Sequence, residues 1–280
     1  MTSSAPDSAG QVRAARSFLF VPGDRPERFD KAAAAGADVV IVDLEDAVGA
    51  DHKDSARSCV VDWLGACGRA AVRVNSADAP EHEADLAALA ALAPGSGLVA
   101  VVLPKADDPA TATAVAARAG VPVVALVESA AGMVAAPELA RADGVARLAF
   151  GHLDYAVDLG ADHGRAAMQH ARSTLVLASR AAGLPGPVDG VTTALDDRAV
   201  LDDDLAHARD LGLTGKLLIH PRQVGPTHDA YRPTVDEVAW AEKVMAAVAD
   251  AGTGAVRVDG DMVDPPVVAR AHQILRRKDR

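Results

Sequence analysis

Short apolar runs alternate with longer Ala-rich stretches from residue 17 almost to the end of the chain. Uninterrupted runs of Val, Ile, Leu and Ala are typical of parallel strands buried on both faces, and the stretches between them are rich in helix-forming residues. The candidate strands are residues 17–21, 38–43, 70–75, 98–103, 122–128, 145–151, 187–191 and 216–220. Helical patterns lie between them at 25–36, 52–66, 81–92, 108–119, 131–142, 162–183 and 201–212. Eight strand-helix units in succession predict an α/β fold, a closed (β/α)8 TIM barrel.

The same pattern divides the chain into three parts. Residues 1–15 contain Ala, Ser and polar residues without an apolar core, and we expect a disordered N-terminal tail. Residues 16–228 form the predicted catalytic barrel. Residues 229–280 do not continue the repeat, because their pattern indicates a helix, a turn with a short extended run, and a last helix. We expect this C-terminal appendage to contact the barrel mouth or a neighbouring subunit.

Composition narrows the class of protein. Half of the 280 residues are hydrophobic but only 3% are aromatic, so Ala, Val and Leu must fill most of the core. A net charge of -11, with no basic run longer than 276–278, argues against nucleic acid as a partner. Cys59 and Cys67 lack CxxC spacing, which predicts neither a disulfide framework nor a zinc site and fits a reduced cytoplasm. Neither a signal peptide nor a membrane span is predicted.

Polar residues follow most of the predicted strands at their carboxyl ends, where a barrel of this kind carries its active site. The set is Asp43, Glu45, Asp46, Arg73, Asn75, Lys105, Glu128, His152, Asp154, Asp189 and His220. Glu128 ends the fifth strand and Asp154 follows the sixth, so neighbouring parallel strands bring both carboxylates to one rim. A buried carboxylate cluster is severely unfavourable unless Arg73, Lys105 and a bound cation offset it. The pair Glu128 and Asp154 therefore predicts a Mg2+ site.

Several of these residues also have a purely structural interpretation. Asp is a preferred helix N-cap residue, and capping explains Asp46 as well as chemistry does. Lys105 is equally well explained as a surface lysine that neutralises the aspartates after it. No other His stands at a transition-metal spacing from His152, and His220 is better explained as a hydrogen-bonding group in its loop. The phosphate-binding GxxxxGK[ST], the dinucleotide-binding GxGxxG and the GxSxG nucleophile elbow are absent, which argues against nucleotide hydrolysis and serine chemistry.

A series of ordered sequence blocks resembles one enzyme family. The blocks are RSFLFVPGDRPERFDKA at 16–32, DVVIVDLEDAV at 38–48, VRVNS at 72–76, LPKA at 103–106, LVESAAGM at 126–133, FGHLDYAVDLG at 150–160, IHPRQV at 219–224 and DGDMVDPPVVARA at 259–271. Through them the chain is identified as a member of the HpcH/HpaI aldolase and citrate lyase β-subunit family. It is similar to the citrate-lyase-β-like branch, which is related to malyl-CoA and citramalyl-CoA lyases, and the resemblance spans residues 16–275.

The resemblance implies a Mg2+-dependent carbon–carbon lyase that cleaves a 3-hydroxy acyl-CoA thioester to an acyl-CoA and a 2-oxo acid. Malyl-CoA, citramalyl-CoA and citryl thioesters are the implied substrate types. By resemblance, Glu128 and Asp154 bind the metal, which chelates the part of the substrate that becomes the 2-oxo acid. Arg73 holds the oxygen that becomes the thioester enolate, and Glu45 and Asp46 order metal-bound water.

Further roles follow from the same resemblance. Asp264, in the segment MVDPP, matches the aspartate that a neighbouring subunit contributes as proton donor, which implies a homo-oligomer, a trimer in our expectation. Its structural alternative is a turn aspartate before two prolines. Arg16 and Arg25 resemble positions that meet the coenzyme A phosphates, although ordinary surface charge also explains them. Lys105 is a further candidate for substrate binding, and His152 stands where the family commonly has a small or acidic residue.

Two other functions stay open at this point. A metal-dependent class II aldolase would act on free 2-oxo acids without a thioester, and the MVDPP segment and the basic residues near the first strand argue against it. A non-catalytic subunit of a larger lyase complex would bind an acyl thioester without turnover. Retention of charged residues at the strand ends argues against that alternative, because a scaffold has no need to bury charge.

Overall fold

The computed structural model describes residues 7–93, 95–251 and 256–278. Eight parallel strands close into a barrel, in which β1 pairs with both β2 and β8. The strands are β1 (Ser17–Pro22), β2 (Val39–Asp43), β3 (Ala70–Arg73), β4 (Leu98–Leu103), β5 (Val123–Val127), β6 (Val145–Phe150), β7 (Val188–Asp189) and β8 (Gly215–Leu218). The (β/α)8 barrel predicted from the sequence is confirmed.

One helix precedes β1, and the others follow the strands and cover the outside of the barrel. They are α1 (Ser8–Ala14), α2 (Phe29–Ala33), α3 (Lys53–Ala66), α4 (His82–Ala90), α5 (Pro109–Ala119), α6 (Ala130–Val134), α7 (Ala136–Leu139), α8 (His152–Leu159), α9 (Arg165–Ala181), α10 (Arg198–Leu211) and α11 (Val224–Tyr231). Their ends follow local chemistry. At α5, Asp108 accepts the N–H groups of Ala110 and Thr111, and Gly120 ends the helix with a φ of 67°. No helix among the described residues is long and apolar enough to cross a membrane.

Two layers of apolar side chains form the core of the barrel. Because successive side chains of a strand point to opposite faces, Ile41 points into the barrel while Val40 and Val42 pack against the helices. The interior holds Val, Ala and Leu with few aromatic groups, Phe18 among them. Arg147 is fully buried beneath them and donates to the carbonyls of Val12 and Ala15 near the amino end of the barrel.

The expectation of disorder throughout residues 1–15 is wrong for residues 8–14, which form helix α1. Asp7 caps this helix by accepting the Gly10 N–H at 2.8 Å, and Val12 is fully buried. Arg147 donates to the carbonyls of Val12 and Ala15, which satisfies acceptors left open at the end of the helix. Residues 1–6 lie outside the described part of the chain.

The chain separates into two compact units, one ending at Thr227 and the other beginning at His228. The second unit contains α12 (Val235–Ala251), an antiparallel hairpin of β9 (Val256–Val258) and β10 (Asp261–Val263), and α13 (Pro265–Lys278). Asp259 and Gly260 form the two-residue turn of the hairpin, and both have positive φ, as a type I′ turn requires. Ala241, Ala271 and Ile274 lie in a small apolar core of this unit.

Candidate active site at the carboxyl end of the barrel

Strand alternation brings three charged side chains into the carboxyl end of the barrel. Asp43, Arg73 and Glu128 each lie two residues beyond an inward apolar residue, so they point inward as well. Asp43 and Arg73 are register partners in the β2–β3 pair. All three side chains are buried, with exposed fractions of 1%, 9% and 4%. The barrel therefore places charge where it has little water, so that each charged group depends on its neighbours.

Arg73 is the centre of this charged group. Its Nε and Nη2 donate to the two Asp43 oxygens at 2.7 and 2.6 Å, a bidentate pair that fixes the plane of the guanidinium. Its Nη1 lies 2.9 Å from Glu45 Oε2 and 3.4 Å from Asp46 Oδ2, and the Phe20 ring lies 4.9 Å from the guanidinium carbon. The side chain is thus held rigidly by one strand partner and by the loop after β2.

The loop that carries Glu45 is anchored by Lys53. The Lys53 ammonium donates to the carbonyls of Leu44 and Glu45 at 2.7 and 2.8 Å and to Asn75 Oδ1 at 2.6 Å. Both Glu45 carboxylate oxygens are buried, and neither accepts an aligned hydrogen bond from the described residues. Burial raises the pKa of Glu45 to about 7, against the opposing effect of Arg73. The loop is thus held in place, and the ion pair with Arg73 only partly offsets the burial of the Glu45 carboxylate.

Glu128 occupies a similar position across the barrel mouth. Its Oε1 accepts the Lys105 backbone N–H at 2.8 Å, and Lys105 adopts a φ of 47°, which is uncommon for a residue other than glycine. A side chain on Gly151 would overlap the Glu128 carboxylate, so the missing Cβ leaves space for it. Burial, with Glu45 and then Asp154 adding to it, raises the pKa of Glu128 to about 8.

Glu128 and Asp154 line one cavity of about 350 Å³ together with Arg73 and Asp46. Asp154 lies in the first turn of α8, three residues beyond Gly151, rather than at the end of a strand. Phe20, Leu126, Phe150 and Leu217 supply apolar lining. The cavity falls at the lower end of the roughly 300–1,000 Å³ typical of sites for small organic ligands, with a few charged groups converging on an apolar surface.

The residues fit a hard divalent cation. Within the described residues, no three His, Cys, Asp or Glu side chains form a metal-binding group. Mg2+ needs fewer protein ligands, because it commonly binds through one or two carboxylates and keeps water and substrate oxygens for the rest. Glu128 and Asp154 offer such a pair. Burial raises the pKa values of Glu128 and Glu45, so their ionised forms are disfavoured here, and a cation at this position would stabilise them.

The structure does not bring Arg16, a predicted substrate-binding residue, to this cavity. Arg16 precedes β1 and therefore lies at the amino end of the barrel, about 20 Å from the mouth if each strand residue rises about 3.3 Å. Its backbone N–H donates to Asp38 Oδ2 at 2.6 Å and its Nε lies 3.3 Å from the same atom. The contact between Arg16 and Asp38 holds the starts of β1 and β2 together.

The other predicted residues have different surroundings. Arg25 follows β1 at the carboxyl end and is exposed, and Lys105 Nζ lies 3.7 Å from Glu45 Oε1 rather than beside the aspartates that follow it. His220 Nδ1 accepts the Arg222 N–H, which confirms the structural interpretation of this histidine. Asp264 lies in the second unit, where it is exposed and its Oδ1 accepts the Val267 N–H at the start of α13.

A second group of buried charges was not predicted as a unit. Arg172 Nε donates to Asp189 Oδ1 at 2.7 Å, and Lys216 Nζ lies 3.3 Å from Asp189 Oδ2. We call Arg172, Asp189 and Lys216 the basic cluster. Asp189 is recognisable in the sequence as a strand-end residue, but its partners are 17 and 27 residues away and carry no motif. Only the meeting of α9, β7 and β8 brings them together.

The fold and the mouth together define a class: a (β/α)8-barrel enzyme with an acid-rich active site next to a fixed arginine. A family model described as HpcH/HpaI aldolase/citrate lyase matches residues 16–221. The chain belongs to this family of lyases, as its sequence blocks had indicated.

Relatives match over nearly the whole chain. A citrate lyase subunit beta-like protein of Mycobacterium tuberculosis (strain ATCC 25618 / H37Rv) is 39% identical over 267 residues, covering 93% of this chain and 94% of the relative. A (3S)-malyl-CoA thioesterase of Cereibacter sphaeroides (strain ATCC 17029 / ATH 2.4.9) is 34% identical, covering 97% of each. Among solved structures, protein CitE from Mycobacterium tuberculosis in complex with magnesium, acetoacetate and coenzyme A has a TM-score of 0.83 and 38% identity, covering 96% of this chain and 100% of that one.

Proposed function

We propose that the protein is a Mg2+-dependent carbon–carbon lyase that cleaves a 3-hydroxy acyl-CoA thioester to an acyl-CoA and a 2-oxo acid. Malyl-CoA, citramalyl-CoA and citryl-type thioesters are the candidate substrates. The observation that carries the proposal is that Arg73, Glu128 and Asp154 line the same cavity. Arg73 suits a developing negative charge, and the two carboxylates suit a cation.

Glu128 and Asp154 would hold the Mg2+ ion. The CitE structure from Mycobacterium tuberculosis that resembles this chain contains magnesium, which supports the choice of metal. When bound, the ion acidifies the substrate hydroxyl and polarises the carbonyl that forms from it. Glu128 is well oriented for this role, because the Lys105 N–H fixes one carboxylate oxygen at 2.8 Å and Gly151 leaves room at the other.

Arg73 would bind the thioester oxygen. As the carbon–carbon bond breaks, its electron pair moves onto the thioester and negative charge develops at that oxygen. The Nε and one Nη2 donor of Arg73 are used by Asp43, and Nη1 lies against Glu45 and Asp46, so the second Nη2 N–H is the donor left for the thioester oxygen. A guanidinium fixed in this way stabilises the enolate more than it stabilises the uncharged thioester, which is the requirement for catalysis.

Glu45 and Asp46 would order water around the metal, since both lie near Arg73 Nη1 and Glu45 has no hydrogen-bond donor among the described residues. Lys105 and Arg25, both at the carboxyl end of the barrel, would contribute to binding of the coenzyme A portion. The coenzyme A in the related CitE complex supports this class of substrate.

Asp264 would return a proton to the enolate carbon, from a neighbouring copy in a homotrimer. Its exposure and its position in the separate C-terminal unit are compatible with a contribution in trans. The same carboxylate caps α13, so a loss of activity on mutation has two possible causes. Asn caps a helix about as well as Asp but cannot supply this proton, which separates the two.

The proposed reaction is tested by incubating the protein and Mg2+ with malyl-CoA, citramalyl-CoA and 3-hydroxy-3-methylglutaryl-CoA while following the products. Release of a 2-oxo acid with an acyl-CoA supports the lyase. The relative named as a malyl-CoA thioesterase makes hydrolysis a second candidate, and release of free coenzyme A with an intact hydroxy acid would identify it. Binding of these thioesters without either set of products would contradict both proposals.

The proton donor is tested with a matched pair of variants. Asp264→Asn should keep Mg2+ binding and the melting temperature while turnover is lost, and Asp264→Ala should lose turnover and also about 1 kcal/mol of stability through the missing cap. Calorimetric Mg2+ titration and thermal unfolding measure the two properties separately. Full turnover by Asp264→Asn would remove Asp264 from the mechanism.

A further inference from the structure

A second cavity, of about 210 Å³, adjoins the proposed active site. His152, Leu153 and Val191 line both cavities, so the two share a wall. The second cavity is bounded by the loop before α9, by α9 and α10, and by the loop after β7. It is smaller than the roughly 300–1,000 Å³ of pockets for drug-sized ligands, and its polar lining indicates a small, polar occupant.

The basic cluster, of which Arg172 lines this cavity, carries an unbalanced positive charge. Arg172 and Lys216 are cations, and both form ion pairs with the single carboxylate of Asp189. Arg172 is 7% exposed, and Asp189 and Lys216 are 1% exposed, so water contributes little to balancing them. A buried charge without a partner is strongly unfavourable. The basic cluster has two positive charges and one negative charge, so one positive charge is not balanced within it.

Arg172 still has donors to offer. Only its Nε donates to a protein acceptor among the described residues, and its two terminal amino groups have no acceptor there, although the residue lines the cavity. The ring nitrogen Nε2 of His207, which also lines the cavity, is buried and likewise lacks a partner within the described chain. Burial, then Arg165 and Arg172, keep the pKa of His207 below its ordinary value, which agrees with a positive potential in this cavity.

The acidic groups nearby do not balance the excess positive charge of the basic cluster. Arg165 at the rim pairs with Asp203, so these two cancel. Asp204 lines the cavity and accepts the Thr192 hydroxyl at 2.6 Å, but it forms no ion pair within 4 Å with a basic group of the described chain. Asp204 is half-buried and so reaches water, whereas Arg172 is buried apart from its face on the cavity. The deep end of the cavity is therefore basic, and the carboxylate is partly hydrated.

We propose that this cavity is a binding site for a small oxyanion, a carboxylate or a phosphate-like ion, held by the terminal amino groups of Arg172 and by His207. The site does not depend on the metal or on the lyase reaction. An oxyanion matches the donors that are present, because a guanidinium offers parallel N–H groups to two oxygens of one ion. Such an ion would supply the negative charge that the basic cluster lacks.

The test is titration of the metal-free protein with sodium sulfate and, separately, with sodium succinate, while the ring signals of His207 and His163 are followed by NMR. Sodium chloride at equal ionic strength is the control for screening. Saturable shifts with sulfate alone identify an inorganic ion as the ligand type, and saturable shifts with succinate identify a carboxylate. Absence of saturable shifts with both ions would overturn the proposal.

Ala194, half-buried in the loop that lines the cavity, provides a matched pair of variants. Ala194→Glu and Ala194→Gln introduce side chains of the same shape, but only Glu brings a negative charge. Glu should weaken oxyanion binding at least about tenfold relative to Gln, because like charges placed together are unfavourable. Equal affinities of the two variants would overturn the assignment of the site to this cavity.

A Glu128→Gln variant separates this site from the proposed function. Glu128 does not line the second cavity, so this substitution should leave sulfate or succinate binding by the metal-free protein within about twofold of the wild-type value. If the lyase proposal fails, this result still stands. Loss of oxyanion binding in Glu128→Gln would instead place the ion in the metal site and overturn the proposal.

Discussion

Two charged regions lie at or near the same end of the barrel, and they balance their charges in opposite ways. In the acidic cluster, which we define as Asp43, Glu45, Asp46, Glu128 and Asp154, five carboxylates share Arg73 and the more distant Lys105. In the basic cluster, two cations share Asp189. Burial alone would raise the pKa of Asp189, but Lys216 and Arg172 outweigh it and lower that pKa. The buried carboxylates Asp43, Glu45 and Glu128 therefore leave the first region in need of a cation, and the buried cations leave the second in need of an anion.

The largest expected effect is on stability in the basic cluster. Asp189→Asn removes the single carboxylate between two buried cations, and we expect a loss of about 3–5 kcal/mol in the free energy of unfolding. Urea unfolding measures it. The matched change in the acidic cluster, Glu45→Gln, removes a carboxylate whose ionised form burial disfavours more than Arg73 favours it, so the metal-free protein should be unchanged or more stable. Similar losses in both variants would show that the two clusters do not differ as described.

A somewhat smaller effect is expected for Arg73→Lys. An ammonium group cannot make the bidentate contact with Asp43 or present a fixed plane of donors, so kcat should fall about 10²–10³-fold, or about 2.7–4 kcal/mol. Mg2+ affinity should change little, since Glu128 and Asp154 are intact. Steady-state kinetics and calorimetry measure the two properties. A variant that loses metal and keeps its turnover at saturating Mg2+ would assign Arg73 to the metal site instead.

The smallest effect is the response of the metal-free protein to pH. The folded-state pKa values of Glu45 and Glu128, about 7 and about 8, lie above the ordinary 4.5, so the folded protein binds more protons than the unfolded chain between these limits. The stability contributed by these two groups is therefore present below about pH 5 and is lost as the pH rises to about 8, by an amount on the order of a few kcal/mol.

Urea unfolding at several pH values, with a chelator and then with excess Mg2+, checks this response. Mg2+ should flatten the decline, because the ion stabilises the ionised carboxylates. In the Glu45→Gln variant the decline should be smaller. Stability of the metal-free protein that rises across the same interval would contradict the raised pKa values.

The periodic parts of the fold could be predicted from the sequence. All eight strands were recognisable, because their apolar runs are bounded by polar residues and the barrel buries them on both sides. Helix α8 was missed since FGHLDYAVDLG resembles the end of a strand, although its buried residues His152, Tyr155 and Ala156 have helical spacing. Helix α1 was missed because its stability comes from Val12 and a distant arginine rather than from its own pattern.

The site was predictable where strand ends fix the positions of side chains. Glu128 and Arg73 could be placed in this way. Arg16 also lies next to a strand, but it precedes β1 and is therefore at the opposite end of the barrel from the cavity. Lys53 was not singled out for its contact with the Glu45 loop, since a lysine at the start of a helix carries no signal of the carbonyls that it reaches. The basic cluster and the second cavity depend on the meeting of α9, α10 and β7, which no local pattern describes.

Gly151 sets a limit on what can be engineered at this barrel mouth. Even the methyl group of alanine would collide with the carboxylate of Glu128. Any larger residue at this position would therefore displace the carboxylate that is proposed to bind the metal ion. Mutant libraries designed to alter substrate specificity should therefore keep Gly151 and vary His152 and the residues beside it in the wall between the two cavities.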